Sequence, residues 1–390
     1  MLVVAMGKPL SPDYTKRSGL GSGFSSSPQV AIDSAGNYIF AARVNNTSNK
    51  LFVGKYNPYG STVFAQEANR DGTVQSVRTD SSNNIYVSGT YASLSRGYIA
   101  KFNSAGSLQW DFYEADFTSS RMYVLGVDTS GNVYLSSGNS SSVRIYKLNS
   151  SGTVQWSTDV SGTNTGPIGV ADSSGNSYYH NSAGVLVKLD SSGAEVWQRD
   201  FAAATPVLTL RGIDVDTTGA LVICANDSAN ARYYVVKMTS SGTVSSGHYI
   251  SSAAGVGQIT VDVPGNVYLY TYQSTKSTIA KVNTSNTIDW AIESNNTPYF
   301  HVGTAWQENF GHSLLVSSNV HVTSADIYNA PTAGTYGSLT YTALTSPTYT
   351  SNTPTIPAGT LTISTGASSS ISAAGHTYSS VSPTETDYGM

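Results

Sequence analysis

Cysteine is nearly absent: Cys224 stands alone in 390 residues. That excludes an intrachain disulfide framework and any cluster of thiolate metal ligands. It sits in the apolar run ALVICA, where a buried, inert thiol is expected. Charge is scarce as well, at 11% of residues against roughly 25% in an average globular chain. The net charge is −4 and no Lys/Arg-rich block occurs, so nucleic acid is not an expected partner. Long apolar runs are missing. Leu2–Met6 is shorter than the core of a secretion signal, and no stretch approaches the ~20 apolar residues of a membrane helix. The chain is therefore expected to be made in a cytoplasm and not to insert into a membrane. No G-x-S-x-G elbow, phosphate-binding loop or H-E-x-x-H pair is present either.

What the chain has instead is Gly (36), Tyr (26) and abundant Ser, Thr, Asn and Val. Aromatic and β-branched residues favour strands, and Gly with Asn favours turns. The composition is that of an all-β protein with many tight turns.

The turns repeat. D-x-x-G-N and its variants begin at Asp33, Asp80, Asp128, Asp172, Asp216 and Asp262, with a degenerate seventh copy at Glu308. The period is about 46 residues, near the 40–50 of a four-stranded propeller blade. A second turn, N-S-x-G or a relative of it, interleaves and follows a recurrent Lys: Lys55, Lys101, Lys147, Lys188, Lys237 and Lys281. Each unit thus holds four short alternating apolar stretches and two turns. The leading Asp or Asn can cap its own turn, and the Gly supplies a left-handed backbone at low steric cost.

The expected fold is a seven-bladed β-propeller of four-stranded antiparallel blades. Residues 28–344 form the ring, between an N-terminal arm (1–27) and a Thr/Ser/Pro-rich C-terminal tail (345–390). The first blade starts near Gln29–Ile32, and the seventh ends with an outer strand near Leu339–Leu344. Trp110, Trp156, Trp197 and Trp290 share one position on the fourth strand, with Phe64 and Ser246 there in units one and five. A repeat-locked aromatic is expected to dock between blades.

The G-x-x-x-W half, at Gly106–Trp110, Gly152–Trp156 and Gly193–Trp197, resembles the repeats of quinoprotein-like β-propellers. The D-x-x-G-N-x-Y half resembles bacterial repeats of SBBP type. The resemblance covers about Gln29 to Leu344. It implies a fold more than a function, because propellers serve as enzymes, scaffolds and adhesins. A quinone enzyme is not expected: many resemble one another in a vicinal cysteine pair that this chain lacks, and its Lys recurs blade by blade. No cofactor is expected.

Other candidate sites have plainer readings. Asp214 and Asp216 open DVDTTGA like a calcium loop, but the later acidic ligand is missing. His312 and His321 could meet on adjacent strands, yet no carboxylate sits at ligand spacing. Asp111, Glu114 and Asp116 cluster in WDFYEADF and read as exposed charge rather than a glycosidase pair. No catalytic or metal-ligating residue is therefore assigned. Tyr59, Tyr299 and Trp306, near turns and among Asn, Ser and Thr, are candidate surface contacts for sugar or protein.

Three functional classes fit. The expected one is a non-enzymatic virion protein of a bacteriophage, in a tail, fibre or capsid appendage. Such proteins fold in a host cytoplasm and then work outside it. Segments 1–27 and 345–390 would contact other virion subunits, with GTLTIS at Gly359–Ser364 adding to a strand edge on a neighbour or on blade seven. The ring would face a host-surface glycan or protein. A bacterial cell-surface adhesin or scaffold is the alternative, and a polysaccharide-cleaving propeller enzyme ranks third.

Overall fold

The computed structural model describes residues 29–43, 50–57, 61–139, 142–161, 168–181, 183–251, 257–262, 264–272 and 277–294. Beyond these it describes the short segments 16–19, 313–316, 321–324, 334–336, 339–343, 349–351, 355–356, 363–365, 371–373, 378–380 and 384–387. Every named element is a strand.

Six four-stranded antiparallel units follow one another. Unit three is the pattern: Arg121–Val127, Val133–Gly138, Ser142–Leu148 and Val154–Ser161 pair in sequence order. The first strands of the six are Gln29–Ile32, the second half of Thr62–Thr79, Arg121–Val127, Ile168–Ala171, Thr209–Val215 and Gly257–Val261. They stand side by side in that order. Bonds cross between them: Thr79 Oγ1 donates to Ile32 O at 2.9 Å, and Val124 N to Ser76 Oγ at 2.8 Å. Units two and five also meet electrostatically, through Arg78 and Asp214 on their first strands. Non-neighbouring units therefore curve round a common centre, with first strands innermost.

Between units lie apolar clusters. One joins Val170, Tyr178 and Trp197 of unit four to Leu210, Ile213, Ile223 and Tyr234 of unit five. Cys224 is fully buried in another, and burial pushes its thiol up to about 12, as an inert core thiol requires.

Each unit is an up-and-down meander. The D-x-x-G-N turn joins strands one and two, and the N-x-x-G turn joins strands three and four. Both therefore lie at the same end of every unit. The opposite end carries the two-to-three connections and the crossings between units. Units one and two differ in one respect. Thr62–Thr79 runs unbroken from the outer edge of one into the inner strand of the next.

The expected seventh blade is described only as the hairpin Ser313–Val316 with His321–Ser324. The strand expected to end it behaves otherwise. Leu339–Ala343 pairs with Ile288–Ser294, the outer strand of unit six, with Ala343 opposite Ile292. An outer strand with no further neighbour offers a free row of N–H and C=O groups, and this segment takes it. GTLTIS also lands elsewhere than expected. Ile363–Thr365 pairs with Val154–Ser161, the outer strand of unit three in the same chain.

Candidate functional site

The repeated turns explain the motif residue by residue. Asp172 Oδ1 accepts from Ser174 N at 3.0 Å and Asn176 N at 2.9 Å. Its Oδ2 accepts from Asn176 Nδ2 at 2.7 Å and Tyr178 OH at 3.2 Å. Gly175 takes φ +85°, where a Cβ would be strained. Asp, Gly, Asn and Tyr of D-x-x-G-N-x-Y are thus one hydrogen-bonded set, and Asp80, Asp128 and Asp262 build the same set with their own Asn and Tyr. Burial first, then the neighbouring Asp80, Asp128 or Asp172, raises the Tyr86, Tyr134 and Tyr178 hydroxyls.

The Lys and Trp complete a link to the next unit. Lys147 Nζ lies 5.4 Å from the centre of the Tyr134 ring. It pairs across the strands with Trp156. Both donate to Ser191 O in the turn of unit four, at 3.2 and 2.9 Å. Lys188 and Trp197 do the same to Ser240 O, at 2.8 and 3.1 Å. The indole lies over the turn glycine: a Cβ on Gly193 would fall 2.7 Å from the Trp156 ring. Trp197 is 8% exposed, whereas Trp110 and Trp156 are half-buried. Trp290 occupies the same place opposite Lys281. This end of the molecule is a chain of structural bonds.

The other end is varied. Arg144 of unit three bonds Asp159 on its own unit's outer strand and Asp116 on the crossing from unit two, the latter at 2.6 Å. Its guanidinium also lies 5.0 Å from the Phe117 ring centre. The Asp159 hydrogen bond holds its pKa above the usual arginine value against the pull of burial. Glu114 is wholly buried and accepts from Tyr146 OH, and Asp111 is buried too. The reading of this cluster as exposed charge is therefore corrected: only Asp116 is exposed, because the strand that carries Asp111 and Glu114 is packed against units two and three. Connections at this same end present Leu94 (44% exposed) and Val207 (61% exposed) to solvent.

Asp214 and Asp216 divide their labour. Asp216 caps its turn through Thr218 N and Ala220 N. Asp214 is buried and accepts from Thr260 Oγ1 at 2.9 Å and Val261 N at 3.0 Å, clamping unit six to unit five. Burial raises its carboxyl, while Val261 N, Val215 N, Thr260 and Arg78 pull it back. Among the described residues no group of three or more His, Cys, Asp or Glu is placed to hold a metal ion. His312, Tyr59, Tyr299 and Trp306 lie outside the described residues, and His321 begins the second strand of the isolated hairpin.

Sequence reasoning missed His180 and Arg211, toward the varied end of units four and five. His180 is buried with Nε2 unpartnered, and Arg211 has its Nε unpartnered. Burial, then Arg211, lowers the imidazole to about 4, so it is neutral at pH 7. Neither residue stands in a repeated motif, so no spacing pattern pointed to them.

Among solved structures, BBS1N in complex with ARL6DN is similar to this chain at 13% identity and a TM-score of 0.52, covering 80% of this chain and 94% of that one. The β-propeller domain of Cps50 (Swd1) from Myceliophteria thermophila is similar at 7% identity and a TM-score of 0.55, covering 78% and 97%. These likenesses show the fold, that of a β-propeller repeat protein. No protein-family model matches the sequence, and no curated protein matches it.

Proposed function

We propose that this propeller is a non-enzymatic binding and assembly module, a structural component of a bacteriophage virion used for host-surface attachment or assembly contacts. One observation carries the binding role: the two ends of the units are built on opposite plans. At one end, a strand-borne Lys of units two, three and four donates to a turn carbonyl of the following unit. The connections at the other end differ in length and sequence, and they expose Leu94, Val207 and Asp116. A rigid ring that varies at one end suits recognition of a macromolecular surface. BBS1N, solved with ARL6DN, is a fold neighbour with a protein partner. The charge-poor composition, rich in Ser, Thr, Gly and Asn, supports the virion setting.

The ring is seven-bladed in this reading. Six units are described, and the hairpin Ser313–Val316/His321–Ser324 falls where the seventh copy of the motif lies. Contacts with other virion subunits are made where Lys16–Gly19 pairs with Thr384–Asp387, the place at which both ends of the chain meet.

The test is location. An antibody raised against the purified chain should label intact phage particles in electron micrographs, and Leu94→Asp with Val207→Asp should abolish binding to host cells without lowering Tm. Labelling confined to a bacterial envelope would replace this reading with the adhesin.

A further inference from the structure

The C-terminal residues visit the units in reverse. Tyr341–Ala343 pairs with the outer strand of unit six, Tyr349–Ser351 with unit five, Ile363–Thr365 with unit three, Ile371–Ala373 with unit two, and Tyr378–Ser380 with unit one. Unit four is reached between the second and third of these. Thr205 and Thr355 exchange both backbone hydrogen bonds, at 3.0 and 3.1 Å. Ile356 beside them packs against the cluster that holds Trp197, Phe201 and Leu208. Thr384–Asp387 then pairs with Lys16–Gly19 near the other end of the chain.

The register is the same each time. The first residue of the triplet pairs with the residue four beyond the Trp position: Ser294, Ile250, Val160, Glu114 and Ala68. The triplets share a pattern too. Tyr or Ile comes first, Thr or Ser second, and Ala, Ser or Thr third. A low-complexity segment therefore hides a second repeat, whose five triplets match five of the six described units in one register. A linker has no reason to keep such a register. A segment selected to cover each outer edge does, because a bare edge invites pairing with other chains.

We propose that the C-terminal segment is an intramolecular clasp. It adds a strand to the outer edges of units six, five, three, two and one, bridges to Thr205 just after unit four, and then bonds the N-terminal arm, so the outer edges are tied together by the chain's own C-terminal segment. The links between the last triplets, 366–370 and 374–377, are short. Once one triplet is docked, its neighbour is held at high effective concentration beside the next edge, which favours the chain's own blades over those of a second copy.

The test is cross-linking of the full-length chain in two double variants, Asp159→Cys with Ser364→Cys and Glu67→Cys with Ser379→Cys. Both pairs are register partners. Non-reducing electrophoresis and peptide mapping should find each disulfide within a monomer in most molecules. Disulfides that join two chains would overturn the clasp in favour of exchange between copies, and the absence of any disulfide would overturn the pairing itself. A single variant, Ser364→Pro, should speed hydrogen exchange at least tenfold in Thr158–Val160 and leave Arg121–Val127 unchanged. Unaltered exchange in Thr158–Val160 would also overturn the proposal.

Discussion

Lys101 and Trp110 stand opposite one another on adjacent strands and donate to the same acceptor, Ser150 O of the next unit, at 2.9 and 3.1 Å. An ammonium and an indole that share a carbonyl couple each unit's outer edge to its neighbour's turn. Asn149 caps the same turn, its Oδ1 accepting from Ser151 N and Thr153 N. Burial lowers the Lys101 ammonium and the neighbouring Asp80 partly restores it, so the charge is anchored from both units.

Trp197 should be the most costly indole to remove, being the most buried of the three whose surroundings are described. Trp197→Ala is expected to lose about 3–5 kcal/mol in urea unfolding. Trp197→Phe keeps the ring but not the bond to Ser240 O, and should lose about 1 kcal/mol. Equal losses would show that the hydrogen bond, not the packing, carries the joint.

Two glycines separate backbone strain from close approach. Gly131 and Gly193 take φ of +77° and +84°. A Cβ on Gly131 meets nothing nearer than 3.5 Å, but one on Gly193 meets the Trp156 ring. Gly131→Ala should cost about 1–2 kcal/mol from the left-handed backbone alone. Gly193→Ala should cost more, and Trp156 fluorescence should shift only in that variant.

His180 makes stability fall with acid. Its pKa is lowered from 6.5 to about 4, so the unfolded chain binds a proton between those values while the folded chain does not. The stabilisation is complete above pH 6.5 and is lost as pH drops towards 4, by up to about 3 kcal/mol. Denaturation curves across that window should show the slope, and His180→Phe should flatten it.

Asp214→Ala should loosen the joint between units five and six. It removes the acceptor for Thr260 Oγ1, Val261 N and Val215 N together. Leaving such donors buried and unpaired costs about 1–3 kcal/mol for each group. Hydrogen exchange should rise first in Thr260 and Val261, and an unchanged rate there would show that the clamp is not needed.

The unit repeat was legible because each motif residue has a local task within a few positions of its neighbours. Asp caps, Gly turns and Tyr closes the set, so spacing alone revealed them. The clasp was not legible. Its triplets are three residues long, separated by unequal spacers, and composed of Thr, Ser and Ala that also make linkers. Their register becomes visible only against the strands they cover, as with Ile363 opposite Val160. The burial of Glu114 was hidden for a similar reason, since its partner Tyr146 lies in the following unit.

The reversed path of the C-terminal segment sets a timetable for synthesis. On a ribosome adding ~5–20 residues per second, the edge of unit six at Ser294 waits only about 2–10 s for Tyr341. The edge of unit one at Ala68 waits for Tyr378, about 310 residues later, or roughly 15–60 s. The oldest blade is the last to be covered. Any nascent chain cut short before residue 339 leaves the outer edges of units six, five, three, two and one bare and open to pairing with other chains.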